Sequence, residues 1–115
     1  MGGRLLVMVA GPYRSGAATD EARRANLAAL NRVAHEVHLR GHVPVVGVNL
    51  VLPILEATGA RFEDVMTPIC ARLAARCDAV IRVEGASAGA DAEVKVVLDR
   101  GGRRYRRAAD LPPVD

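Results

Sequence analysis

Three short apolar runs punctuate the chain: LLVMVA at 5–10, HVPVVGV at 42–48 and DAVIRV at 78–83. None has the clean apolar–polar alternation of a strand with one wet face. Each reads as a strand buried on both sides, the pattern of a parallel sheet. Between the first two, Leu27, Leu30, Ala34 and Val37 recur at helical spacing. Thr19 is the expected N-cap of that helix, Asp20 and Glu21 face its dipole, and Gly41 stops it. Residues 49–66 contain Pro53 and Gly59 and read as a loop with a short helical piece. Thr67 and Pro68 read as the N-cap and first residue of a helix that carries both Cys70 and Cys77. Another helix opens within SAGADAE (87–93) and runs to about Arg100. Residues 103–107 read as a further strand, and 108–115 as irregular.

Strands alternating with helices predict an α/β domain with right-handed crossovers and the first run in mid-sheet. At 115 residues, one domain is expected. Ligands of such sheets bind beyond the carboxyl ends of the strands. Two segments leave strands there: GPYRSG (11–16) and EGASAGADAE (84–93). Gly11, Gly16, Gly85 and Gly89 permit close backbone approach. The start of the last helix points its free amides into the crevice, and Ser87 either caps it or donates to an anion. Arg14 and Ser15 are further anion candidates. A tight strand-to-helix turn would also account for the glycines.

Glu93 stands six residues after Ser87, in the second helical turn. Helical side chains lean toward the N-terminus, which turns Glu93 back toward the crevice, on the face of Ala90 and Val97. No Lys or Arg lies three or four residues away to pair with it. The helix start is expected to keep it ionised. An ionised carboxylate beside an anion site suits nucleophilic attack at a sugar carbon. A surface Glu paired with a distant Arg is the alternative.

Composition narrows the partners. The formal net charge is +3, with much of the excess in DRGGRRYRR (99–107). This suits anions, but no interleaved aromatics mark a single-strand binder, so nucleic acid is not the expected partner. No segment has the ~20 apolar residues of a membrane span and none reads as a signal peptide, so a soluble, cytoplasmic protein is expected. The two cysteines make neither a disulfide nor a zinc site and read as small buried residues. His35, His38 and His42 read as a solvated helical face, and no metal or cofactor is implied. The run NLVLPILEATG (49–59), with few charges, predicts a subunit contact, hence a homodimer or higher homo-oligomer.

VMVAGPYRSG, LRGHVPVV and RCDAVIRVEGASAGADAE together resemble the nucleoside 2-deoxyribosyltransferase superfamily, which includes 2′-deoxynucleoside 5′-monophosphate N-glycosidases. The resemblance runs to about residue 107 and is most specific at CDAV followed by Ser-x-Gly-Ala-x-x-Glu. It implies a flavodoxin-like three-layer sandwich with four or five parallel strands. It places the nucleophile that attacks C1′ on Glu93, phosphate contacts on Ser87 and Gly89, and the glycine after the first strand on Gly11. The chain departs from the family twice. Met8 stands near where a Tyr usually contacts the nucleophile, and Tyr13 replaces it only if its loop folds back. Cys70 stands where an Asp handles the leaving base, and helix geometry turns Asp91, the stand-in, about 200° from Glu93. The expected activity is hydrolysis or deoxyribosyl transfer at the N-glycosidic bond of a nucleoside or its 5′-monophosphate. The alternative is a nucleotide-binding module of the same fold without catalysis.

Overall fold

A computed structural model describes residues 3–114. Its sheet contains β1 (Leu6–Ala10), β2 (Val43–Val45), β3 (Ala79–Arg82) and β4 (Arg103–Tyr105). All pairings are parallel, in the order β2-β1-β3-β4. β1 is central, with Met8 beside both Val45 and Val80. This is the flavodoxin-like α/β arrangement, with four strands. Its switch point lies between β1 and β3, where consecutive crossovers leave in opposite directions.

Both faces of β1 are dry. Val7 and Val9 point into one apolar cluster with Leu30 and Val37, and Met8 and Ala10 into the other with Val80 and Val97. Full burial of side chains such as Val7, Val9 and Met8 is worth about 1.5–3 kcal/mol each. This two-sided burial explains the absence of alternation in the sequence. Helix α1 (Asp20–Leu39) covers the first face and is capped as expected, Thr19 Oγ1 accepting from Ala22 N at 3.0 Å.

The second half of the chain differs from expectation. Residues 49–66 are parts of two helices joined at 59–61, rather than a loop with one short helical piece. Helix α2 (Gly47–Thr58) continues through Pro53, and α3 (Phe62–Ala74) begins before Thr67, with Pro68 in its interior. The run expected as a strand over 42–48 therefore ends at Val45. Each interior proline removes a helical hydrogen bond. Burial outweighs that loss: Val48, Val51, Leu52 and Leu55 in α2, and Met66, Cys70, Leu73 and Ala74 in α3, turn inward at helical period. Gly59 does end a helix, with φ +70°. Cys77 lies beyond α3, in the turn before β3, and both cysteines are free and buried.

Helix α4 (Ala88–Asp99) packs with α3 on the second face. The C-terminal segment is irregular over 111–114, as expected, yet packs against the first face. Ala108–Asp110 forms a 3₁₀ turn, and Ala108 and Leu111 enter the core. His42 leaves the solvated face expected for it and is 2% exposed. Its Nδ1 accepts from Leu5 N at 2.9 Å, and its Nε2 lies 2.7 Å from the Pro112 carbonyl, so Nε2 carries the proton that donates there. His35 and His38 remain exposed and stacked on α1. No helix among the described residues is long and apolar enough to cross a membrane.

Candidate active site

The carboxyl ends of β1 and β3 lie side by side, joined by the bond from Val83 N to Ala10 O at 2.7 Å. The segments that leave them bound a cavity of about 220 Å³. Gly11, Tyr13, Arg14 and Ser15 line it from the β1–α1 loop, and Ser87, Gly89 and Glu93 from α4 and its N-cap. Gly16 and Asp91 do not line it. Gly16 sits in an exposed turn at φ +70°. Asp91 points outward, and its Oδ1 accepts from Arg82 Nε at 3.1 Å. The helical rotation that separates Asp91 from Glu93 accounts for this, and Asp91 does not stand in for the missing Asp.

Ser87 is the N-cap of α4, its Oγ accepting from Ala90 N at 3.1 Å. That bond uses a lone pair and leaves the hydroxyl proton free to donate into the cavity. The two loops interlock through glycines. A Cβ on Gly85 (φ +120°) would meet Pro12 Cγ at 2.8 Å, and one on Gly11 would meet Leu30 and Val83 at 2.7 and 2.9 Å. Gly11 is therefore required by helix–strand packing before any ligand is considered. Gly89 differs: nothing beyond its chain neighbours and its own helix backbone lies within 4 Å of its missing Cβ, which leaves open space at the first turn of α4.

Glu93 is buried on the same helical face as Ala90, Val94 and Val97. Its carboxyl is pushed from 4.5 to about 7, first by loss of water and against the opposing pull of Arg82. The helix start does not keep it fully ionised, because desolvation exceeds the opposing pull of Arg82. Near neutral pH the group is poised between acid and carboxylate. Cys70 faces the same cavity. Burial, and then the charge of Glu93, push its thiol from 9.0 to about 12, so it stays protonated. Its Sγ lies 3.4 Å from Met66 Sδ. Met8 is fully buried.

The opposite wall comes from α2 and α3, through Val48, Phe62, Met66, Thr67 and Cys70. The sequence pattern puts Val48 at the end of a strand, Phe62 and Met66 in a loop and Thr67 at a helix cap, and so places none of them at the site. The inward period from Val48 to Leu55 was the available signal. Phe62 meets Tyr13 with ring centroids 6.0 Å apart and an interplanar angle of 26°. The Arg14 guanidinium lies 4.8 Å from the Phe62 centroid, and Arg14 Nη1 is 3.4 Å from Glu63 Oε1. Tyr13 thus belongs to the cavity rim, where its loop is pinned to the start of α3. Among the described residues no group of three or more His, Cys, Asp or Glu is placed to hold a metal ion. Among the described residues Glu93 is the one carboxylate lining the cavity. Such a group, isolated in an apolar pocket beside helix-start donors, can move a proton or attack an electrophilic carbon. No family model matches the chain, and no curated protein matches it either.

Proposed function

We propose that this protein cleaves, or transfers the sugar across, the N-glycosidic bond of a nucleoside 5′-monophosphate, with Glu93 as nucleophile. The observation that carries the reading is the buried Glu93 carboxyl in the cavity at the β1/β3 switch point, next to the Ser87-capped start of α4. The family resemblance puts the same two residues in these roles. In the first step a Glu93 oxygen bonds to C1′ as the C1′–N bond breaks, and that electron pair leaves on the base. In the second, water supplies hydroxide to C1′, Glu93 regains its carboxylate, and the remaining proton goes to the base; an acceptor nucleobase in place of water gives transfer. Two-carboxylate glycosidases protonate a poor oxygen leaving group with a second acid. Among the described residues Glu93 has no such partner in the cavity, which favours a heterocyclic base, a leaving group that tolerates its absence. The cavity is smaller than the ~300–1,000 Å³ usual for ligand sites. It suits a sugar, with phosphate and base reaching toward Ser87 and the Tyr13–Phe62 rim.

The test is incubation with a panel of nucleosides and their monophosphates, with chromatography for free base. The expected result is release from a monophosphate that rises with pH through about 7 as Glu93 ionises, and that is lost by several orders of magnitude in Glu93→Gln. Equal turnover in Glu93→Gln refutes the mechanism. The second reading is a nucleotide-binding module without catalysis. Its support is the occupation of the family's Tyr and Asp positions by Met8 and by the protonated Cys70 thiol. Binding of a monophosphate without base release by the wild type selects it.

A further inference from the structure

Arg82, the last residue of β3, does not line the cavity, yet its side chain is only 10% exposed and holds the loop behind Ser87. Nη1 donates to the Val83 carbonyl, and Nη2 to those of Gly85 (2.8 Å) and Ser87 (3.5 Å). Nε donates to Asp91 Oδ1 in the first turn of α4. One planar guanidinium thus ties three successive odd-numbered carbonyls and the helix start together. In a trans peptide the N–H points opposite to the C=O. Carbonyls of Gly85 and Ser87 drawn to Arg82 therefore turn the amides of Ala86 and Ala88 to the other side. Among the described residues, neither amide has a hydrogen-bond partner.

We infer that Arg82 is a positioning residue for the Glu93 site: from outside the cavity it fixes the 83–87 loop so that Ser87 stands ready for an anion at the cavity wall. This rests on the nucleotide reading above for the identity of the anion, but not for the effect on the loop or on Glu93. The other titratable groups facing Glu93 are Cys70 from α3, Cys77 from the turn before β3, and Tyr13 and Arg14 across the cavity. Burial keeps both thiols neutral, at about 12 and about 11. Arg82 is the cation that opposes the desolvation of Glu93. Lys has the charge but no fork, and an ammonium does not span three carbonyls in one plane. Loop order and counter-charge are therefore separable.

The experiment compares wild type, Arg82→Met and Arg82→Lys by three readouts: carbon-13 NMR titration of the Glu93 carboxyl, amide hydrogen exchange of residues 84–89, and calorimetric binding of adenosine 5′-monophosphate. In Arg82→Met the Glu93 midpoint is expected to rise by about 1 pH unit. The 84–89 amides exchange faster, and the monophosphate binds at least about tenfold more weakly. In Arg82→Lys the midpoint stays near the wild-type value, while exchange and affinity remain impaired. A merely structural role would not produce that split. Unchanged exchange and midpoint in Arg82→Met overturn the inference, and so does wild-type exchange in Arg82→Lys, which decides the matter if Arg82→Met does not fold. If the wild type binds no monophosphate, the nucleotide reading fails while titration and exchange still decide the role of Arg82.

Discussion

Replacing Glu93 by Gln should make the protein more stable, and by an amount that depends on pH. The folded carboxyl titrates at about 7 instead of 4.5 because it has lost water. Between those values the folded chain holds a proton that the unfolded chain releases. The stability contributed by the neutral acid is therefore complete below about pH 4.5 and is lost as pH rises through about 7. A difference of this size corresponds to about 3 kcal/mol, fully lost by about pH 8. Gln has nearly the same shape and no charge to desolvate at any pH. Its amide must find hydrogen bonds in the apolar pocket, but that cost is the same at both ends of the range. The difference between variant and wild type should thus grow by about 3 kcal/mol in the variant's favour from pH 4.5 to pH 8. Every other carboxylate is common to both proteins and cancels. With a urea m-value of about 1.5 kcal/mol/M, the gap in unfolding midpoints should widen by about 2 M. The assay is urea unfolding followed by far-ultraviolet circular dichroism at both pH values. Stability curves that run parallel across the range would refute the buried, proton-holding carboxyl.

Three further outcomes follow from other parts of the molecule. Ser87→Ala removes the α4 cap and should cost about 1 kcal/mol in urea unfolding, while weakening monophosphate binding more than nucleoside binding in calorimetry; equal weakening of both would remove Ser87 from the phosphate contact. Gly47→Ala places a methyl 2.3 Å from Cys70 Sγ and should destabilise by about 1–3 kcal/mol, with recovery in Gly47→Ala/Cys70→Ala; a neutral single variant would show that α2 and α3 separate freely. Leu50 and Ile54, 51% and 39% exposed one turn apart on α2, are expected at a subunit contact, so light scattering should give an oligomer that Leu50→Glu/Ile54→Lys dissociates; a wild-type monomer at micromolar concentration refutes it.

Several features follow from local chemistry alone. Continuous apolar runs made β1 and β3 strands with two dry faces, Thr19 and Ser87 capped their helices, and the lean of helical side chains turned Glu93 inward and Asp91 outward. Each of these depends on a few neighbouring residues. Tertiary structure alone decided the helices through Pro53 and Pro68, where apolar faces packed against distant segments outweigh a lost backbone bond. It decided the burial of His42, whose partners Leu5 and Pro112 lie 37 and 70 residues away. It decided the meeting of Tyr13 and Phe62 at the cavity rim. It also decided the charge state of Glu93. A helix terminus can be read from seven letters, but desolvation is a sum over atoms that separate elements bring around the cavity, and only the folded chain performs that sum.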